Sequence, residues 1–438
     1  MLIRIIKRST YFSLIILIAV IAMSCQQHSE IYGNTEIELS ESHCIAIFDK
    51  LPYFSVSFDA DIKIPNLPEY YAVDVKAKSL STEDLEYLIH TCVGGDDSIQ
   101  LFKQWELSKD ELMVKLEKAK QYAGTEKVTD DYVKWLEESL NNAAEPPARI
   151  PLKLNDVPIG IPVLAYAKSS SNNSIALIYF VRDGDFLFSY QRDKFTEVVP
   201  ESMTAAHQFD PNYETEAHFL RKKPEMPAIS QNEAYAVAIQ CLDVIASDLK
   251  LYSSEPCSIL KDSAIDKETG WMFVFTREAF GLQERYEEGW TFVNPDYQPS
   301  HVAPWAPEIV KIAVDSTGIC SLLWQGASRI ISDTAQTVSL LPVEEVPSIV
   351  ADTLYRIYGE HLNENGIGFA FEVTDMMLGM SLVSSDGKEN EARLIPSWYI
   401  YYNKRWCDAE EYMVPNKLIL SAIDGSYIEP RITTDDIR

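Results

Sequence analysis

The stretch Gly270-Trp271-Met272-Phe273-Val274-Phe275-Thr276-Arg277 is the clearest strand signal in this chain, because aromatic and β-branched residues favour extended structure. A second apolar run, residues 308–315, follows it and leads into the turn Asp315-Ser316-Thr317-Gly318. Ahead of both runs, Ser230 and Glu233 have the spacing of a capping box, which predicts the start of a helix. The order of these signals predicts a unit made of one helix and an antiparallel sheet.

The same order recurs towards the C-terminus. Residues 343–358 predict a helix, and residues 369–383 supply strand material. The segment Pro396-Ser397-Trp398-Tyr399-Ile400-Tyr401-Tyr402 parallels the Trp271 strand, and residues 417–425 parallel the run that ends in Asp315. We interpret the recurrence as an internal duplication.

The predicted fold class is therefore α+β, with a helical and β N-terminal region followed by two similar helix-plus-antiparallel-sheet units. The first domain boundary falls at Pro146-Pro147, which ends a helical stretch. Asp183-Gly184 lies between two apolar runs and predicts a β-hairpin. The predicted segments are a signal peptide (1–24), an N-terminal α+β domain (25–147), a β-meander and connector (148–228), a first unit (229–335) and a second unit (336–438).

A capped helix, a Trp-bearing strand and a final strand ending in Ile423-Asp424-Gly425-Ser426 together resemble PepSY-like domains. The pattern is also similar to the C-terminal half of secreted lipoproteins of unknown function from Gram-positive gut bacteria. The resemblance covers residues 229–438 and, more loosely, the N-terminal half. It implies a domain of the kind proposed to inhibit proteases or to restrain membrane sensor kinases, and it brings no catalytic residue. The second unit departs from the pattern at Met376, Met377 and Met380, where an aliphatic strand is expected.

The first 25 residues have the organisation of an export signal. Arg4, Lys7 and Arg8 precede an uncharged apolar run over residues 11–23, which is shorter than the ~20 residues that a membrane span needs. Ala22-Met23-Ser24-Cys25 resembles the bacterial lipobox, although Ala22 stands where Leu is commonest. An uncleaved N-terminal anchor, or a plain signal peptide cut elsewhere, are the alternatives.

Lipidation of Cys25 would fix the location of the protein. Two or three acyl chains on one residue are enough for stable anchoring. We therefore predict a lipid anchor at Cys25 that holds the chain on the extracytoplasmic side of a bacterial cell membrane. The polar residues 26–40 would serve as the tether.

Charge and composition exclude some classes of partner. The formal net charge of −28 argues against nucleic acid, whose binding depends on cationic contacts to phosphate, and against a surface that lies flat on anionic lipid. We attribute the acidity to solubility and self-repulsion rather than to cation binding. The 46% hydrophobic and 11% aromatic content is typical of a folded globular chain.

Six cysteines remain when Cys25 is set aside, an even number that permits three disulfides in an exported protein. Buried free thiols are the alternative, because the six are sparse and mostly have apolar neighbours. No Cys-x-x-Cys is present, which excludes a zinc ribbon and a thioredoxin-type redox site. The six are Cys44, Cys92, Cys241, Cys257, Cys320 and Cys407.

No sequence motif indicates a reaction. The chain has no His-Glu-x-x-His, no Gly-x-Ser-x-Gly and no glycine-rich phosphate loop. We accordingly predict no catalytic residue, no metal site and no cofactor. A pair of carboxylates for glycoside hydrolysis stays open, because its members can lie far apart in the chain.

The tryptophans suggest a binding face. Trp290 and Trp305 lie in a long, aromatic, proline-bearing loop over residues 283–306, and long ordered loops are often functional. Core packing is the alternative for both side chains. We expect a non-enzymatic binding or regulatory module for a protein or peptide partner. The alternatives are an envelope hydrolase acting on glycan or peptide, and a structural envelope protein.

Overall fold

The computed structural model describes residues 38–39, 42–51, 54–93, 99–122, 130–157, 161–169, 175–181, 187–192, 197–200, 226–245, 248–261, 266–285, 301–358, 368–385, 391–406 and 413–429. The signal segment, Cys25, Trp290 and Cys407 lie outside these residues. None of the described helices is long and apolar enough to cross a membrane.

Two broad sheets contain most of the described residues, and five helices accompany them. The helices are α1 (Thr82–Val93), α2 (Lys109–Gln121), α3 (Asp130–Asn142), α4 (Gln231–Ile245) and α5 (Val346–Tyr358). Sheet 1 contains β1 (Glu38–Leu39), β2 (His43–Leu51), β3 (Phe54–Lys63), β4 (Tyr70–Ala77), β14 (His301–Val302), β17 (Ser328–Ile330), β18 (Gln336–Val338), β19 (Phe369–Ser384), β20 (Glu391–Trp406), β21 (Met413–Ser421) and β22 (Tyr427–Glu429). Sheet 2 contains β5 (Ile99–Trp105), β6 (Arg149–Pro151), β7 (Val163–Ser169), β8 (Ile175–Phe180), β9 (Leu187–Gln191), β10 (Glu197–Pro200), β11 (Leu249–Lys261), β12 (Asp266–Ala279), β13 (Leu282–Gln283), β15 (Ile309–Asp315) and β16 (Gly318–Gln325).

Sheet 1 combines strands from the two ends of the chain with three short strands, β14, β17 and β18. Its strands follow the order β1-β2-β3-β19-β20-β21-β22-β14, and β4 pairs with the start of β20 and with β17 and β18. The pairing of β3 with β19 is parallel, with Phe54 opposite Phe369. Helix α5 covers one face, where Val350 and Leu354 pack in the same core as Phe371 and Trp398.

Sheet 2 is formed by the middle of the chain, in the order β10-β11-β12-β15-β16-β9-β8-β7-β5-β6. Its two halves meet where β16 pairs with β9. Helices α1 and α4 share one core on one face of this sheet, which includes Leu88 of α1, Ala238 of α4, and Phe273 and Trp324 from the strands. Burial of this apolar surface from both halves joins them into one layer.

The α2–α3 hairpin has a small core of its own. It is inserted between β5 and β6, and a capping box of Ser108 and Glu111 begins α2. Leu112 and Leu116 of α2 pack against Leu136 of α3, separately from the cores of both sheets. The hairpin is therefore an appendage at the edge of sheet 2.

The predicted α+β class is wrong, because the described chain is mostly β, with two large sheets and few, short helices. The two helix-plus-sheet units are not separate bodies. The strand β16 pairs with β9, and β19 pairs with β3, so each sheet draws strands from several of the predicted segments. A sheet edge left open by one unit is closed by strands from elsewhere in the chain, which satisfies the backbone groups of that edge.

Several local predictions are confirmed. Ser230 and Glu233 make the capping-box hydrogen bonds ahead of α4. β8 and β9 pair as the two strands of the predicted hairpin, although its Asp183-Gly184 turn lies outside the described residues. Asp315 accepts a hydrogen bond from the backbone N–H of Thr317, two residues on (2.8 Å).

Glycine at position 326 allows the chain to cross from sheet 2 to sheet 1 between β16 and β17. Its φ is +66°, a region that residues with a Cβ rarely adopt. A Cβ at this position would fall on the backbone carbonyl oxygens of Ala306 and Pro307. The crossing therefore lies directly against the segment that leads into β15.

We expect Gly326→Ala to lower the free energy of unfolding by about 2–5 kcal/mol, because neither backbone can move aside. Gly425→Ala is the matched control. Its φ of +75° is similar, but the nearest atom to an added Cβ is the mobile end of the Ile349 side chain, at 2.9 Å. Urea unfolding of both variants measures the difference, and equal losses would contradict the steric argument.

Candidate functional site: the junction of the two sheets

A buried ion pair lies where the two sheets meet. Arg277 of β12 is 1% exposed and Glu308, just before β15, is 2% exposed. Both Nε (2.7 Å) and Nη2 of Arg277 donate to Oε2 of Glu308. Nη2 also donates to the backbone oxygen of Ser328 (2.6 Å), and Nη1 to Asp248 (3.2 Å). An ion pair this deeply buried is stable only when such additional hydrogen bonds complete it.

Glu308 connects three elements through its carboxylate. Oε1 accepts the indole N–H of Trp324 on β16 (3.1 Å). Oε2 accepts the backbone N–H (3.3 Å) and the hydroxyl (3.1 Å) of Ser328 on β17. Since β16 belongs to sheet 2 and β17 to sheet 1, the carboxylate binds both sides of the crossing at Gly326.

A second carboxyl, Glu284, lies beside this pair and is 3% exposed. Glu284 forms an isolated parallel bridge with Met380 of β19, so that the backbone after β13 is joined to sheet 1. Burial raises the pKa of the Glu284 carboxyl to about 8, although the nearby Arg277 charge and the backbone N–H of Glu308 lower it in part. The carboxyl is therefore neutral in the folded protein at pH 7.

Sheet 1 contributes Tyr399 of β20 to the same junction. Its hydroxyl donates to the backbone oxygen of Met380 (2.6 Å) and accepts from the hydroxyl of Ser381 (2.8 Å). Gly379 allows the backbone of Gln283 to approach β19 closely, since a Cβ there would lie 2.9 Å from the Gln283 oxygen. Burial raises the pKa of Tyr399, which keeps the phenol protonated.

An aromatic patch covers the surface end of this junction. Phe280, in the turn between β12 and β13, has φ +51° and is 43% exposed. Its ring packs on Tyr71 of β4, with ring centroids 4.8 Å apart and planes at 33°. The adjacent Gly281 lies against Leu67, which precedes β4. We call Phe280, Tyr71 and Leu67 the Phe280 patch.

Glu284 and Glu308 lie near each other, and a close pair of carboxyls is what a glycoside hydrolase would require. General acid–base catalysis needs a carboxyl that can reach a substrate and exchange protons with it. Both side chains are almost fully buried, and the oxygens of Glu308 already accept hydrogen bonds from Arg277, Trp324 and Ser328. The arrangement supports a structural role for the pair.

No three His, Cys, Asp or Glu side chains lie close enough to hold a metal ion within the part of the chain that the structure describes.

The structure places Trp305 in the core of sheet 1, where it is 4% exposed. Its side chain is thus packed inside the protein rather than presented to a partner. Trp290 and Cys25 lie outside the described residues. Sequence reasoning missed Phe280, for which the signal was a large aromatic residue placed directly before a glycine at a strand end.

Comparison with known proteins gives no family. No family model matches the chain, and no curated protein matches it. A crystal structure of an uncharacterized protein from Eubacterium rectale is similar over 93% of this chain and 97% of that chain, with 14% identity and a TM-score of 0.39. The resemblance to PepSY-like domains stays a prediction.

We expect Glu284→Gln to change the pH dependence of stability. The folded protein keeps the Glu284 proton up to a pKa of about 8, whereas the unfolded chain releases it near 4.5. The stability that this group contributes is complete below pH 4.5 and is lost as the pH rises towards 8. The amide has no proton to lose, so the variant should gain roughly 2–4 kcal/mol over the parent between pH 5 and pH 8.

Urea unfolding at half-unit steps from pH 5 to pH 8.5 measures this difference. Glu86→Gln makes the same substitution at an exposed position on α1 and serves as the control. A gain from Glu284→Gln that stays constant with pH would show that the carboxyl is not held neutral.

Proposed function

We propose that this protein is an extracytoplasmic lipoprotein, anchored through Cys25, that acts as a non-enzymatic binding or regulatory module for a protein or peptide partner. The single observation that carries the binding role is Phe280, a bulky residue in the left-handed backbone region that is 43% exposed. Such a conformation costs about 1–3 kcal/mol and is found mostly where the surrounding structure enforces it for a function.

A residue that adopts positive φ with less backbone strain would be expected here if the turn were only structural. Glycine adopts positive φ without strain, and asparagine does so at small cost. A phenylalanine instead offers a large apolar contact area with few rotatable bonds, which is what the anchors of protein interfaces have in common. The tilted contact with the ring of Tyr71 restricts the Phe280 side chain, so that less conformational freedom would be lost on binding.

The lipid anchor limits where a partner can lie. Sheet 1 begins at Glu38, so the chain from Cys25 to that strand spans at most about 45 Å when fully extended. A partner on the outer surface of the membrane, or embedded in it, is within reach of a protein tethered in this way.

We expect Phe280→Asn to weaken partner capture at least tenfold, while the free energy of unfolding changes by less than about 1 kcal/mol. Relief of backbone strain offsets the lost contact with Tyr71. Quantitative recovery of partners from detergent-solubilised membranes of the native host, compared between parent and variant, measures the first effect. Urea unfolding measures the second.

Two controls separate binding from folding. Phe280→Tyr keeps a ring and should keep partner capture, and Val114→Asn changes an apolar residue on α2 that is 66% exposed and lies away from the patch. Full partner recovery by Phe280→Asn, together with a loss of more than about 2 kcal/mol in stability, would identify the ring as purely structural.

We expect Cys25→Ser in the full-length chain to abolish incorporation of labelled palmitate and to release the protein from washed membranes. The thiol of Cys25 is the acceptor for the lipid, and a hydroxyl does not replace it. Membrane retention of the unlabelled variant would refute the anchor at Cys25 and favour an uncleaved N-terminal segment.

A further inference from the structure

One face of sheet 2 carries apolar side chains that stay in contact with solvent. The strands β7, β8, β9 and β16 lie side by side, and their alternate residues, such as Ile178 and Phe188, enter the core beneath α1 and α4. The residues between them point to the opposite face, where an antiparallel sheet usually places polar side chains. Here the partly or fully exposed outward residues include Leu164, Tyr166, Ile175, Leu177, Tyr179 and Leu323.

This face also differs in charge from the protein as a whole. The chain contains 66 acidic residues against 38 basic ones. No Asp or Glu occurs at the described outward positions of the four strands, where Lys168 supplies a positive charge. We call the outward side of residues 164–168, 175–179, 189–191 and 321–325 the acid-free face. Exposed apolar surface of this kind typically marks a site of protein association.

The strand register gives the acid-free face a ridge beside a gap. Across one row of the sheet, Leu164 lies opposite Tyr179, Tyr179 opposite Ser189, and Ser189 opposite Leu323. Ser321 lies on the same side of β16, two residues before Leu323. The large side chains of β7 and β8 thus project further than the serines of β9 and β16. Such a surface is self-complementary, because a two-fold axis can place the ridge of one molecule in the gap of another.

We propose that the acid-free face is the interface between two copies of this chain, which pack their sheets face to face about a two-fold axis. Sheets packed in this way lie about 10 Å apart with interdigitated side chains. The net charge of −28 makes two copies repel each other through most of their surfaces. At the acid-free face they can approach without bringing carboxylates together. The interface involves neither Phe280 nor Cys25 and is independent of the proposed function.

Sedimentation equilibrium of the full chain in density-matched detergent measures the association. We expect a dimer at micromolar concentrations, and we expect Leu164→Glu to weaken it about tenfold or more, because each copy would then bring a carboxylate to the apolar contact. Leu164 is 46% exposed, so the variant should fold like the parent. Ile47→Glu is the matched control on β2 of sheet 1, where Ile47 is 57% exposed, and it should leave the dimer intact.

Two results would overturn the proposal. A parent that stays monomeric up to about 100 µM would exclude a second copy and leave the acid-free face to a different partner. A dimer that Leu164→Glu does not weaken would place the interface elsewhere. Salt should strengthen the dimer, since it screens the repulsion between two acidic molecules, whereas weakening by salt would contradict an apolar interface.

Nitration of tyrosines by tetranitromethane, read by peptide mass spectrometry, tests the unaltered chain. Tyr179 should react when the chain is dilute and be protected when it is concentrated, because dimerisation covers its ring. Tyr87 on α1 is 46% exposed and should react equally at both concentrations. Equal nitration of Tyr179 at both concentrations would overturn the proposed interface even if the chain dimerises.

Discussion

The ion pair between Arg277 and Glu308 is the constraint on which the joining of the two sheets depends. Transfer of both charges from water is costly, and the structure offsets this cost with hydrogen bonds to Trp324 and Ser328. The hydrogen-bond partners of the pair come from both sheets, so the pair is fully satisfied only when the chain crosses between them in this one geometry. Removal of either charge would leave the other buried without compensation, a loss of about 3–5 kcal/mol in comparable cases.

The same cluster explains how a strained surface residue is held. Arg277 and Glu284 lie on either side of the turn that carries Phe280, and both ends of the turn are fixed by the junction, through the ion pair on one side and the bridge to Met380 on the other. A left-handed phenylalanine persists only where its neighbours determine its backbone. The turn between Arg277 and Glu284 thus connects the buried charges to the exposed ring of Phe280.

Sequence patterns identified what is local in this fold. The Trp271 strand, the capping box of Ser230 and the helix that ends at Tyr358 were all visible, because each depends on residues a few positions apart. The pairing of β3 with β19 was not visible, since hydrophobic alternation shows that a strand is half-buried but not which strand lies beside it. The α+β prediction failed at this step.

The candidate site was even less accessible to sequence reasoning. Trp305 follows a proline in a long irregular segment and suggested a surface position, yet its side chain is buried in the core of sheet 1. Arg277 looked like an ordinary charged residue at a strand end, because its partner Glu308 becomes a neighbour only in the folded sheet. Phe280 carried one local signal, the glycine that follows it, and this signal indicates a turn rather than a contact surface.

The parallel pairing of β3 with β19 has a consequence for how the protein is made. The two strands are separated by most of the chain, so sheet 1 has high contact order and cannot nucleate from its N-terminal strands alone. One edge of β3 stays unpaired until β19 has been synthesised, whereas β4 can already pair with β17 and β18. Sheet 2 has no such delay and is free to fold first, as the scaffold on which the two ends of the chain later meet.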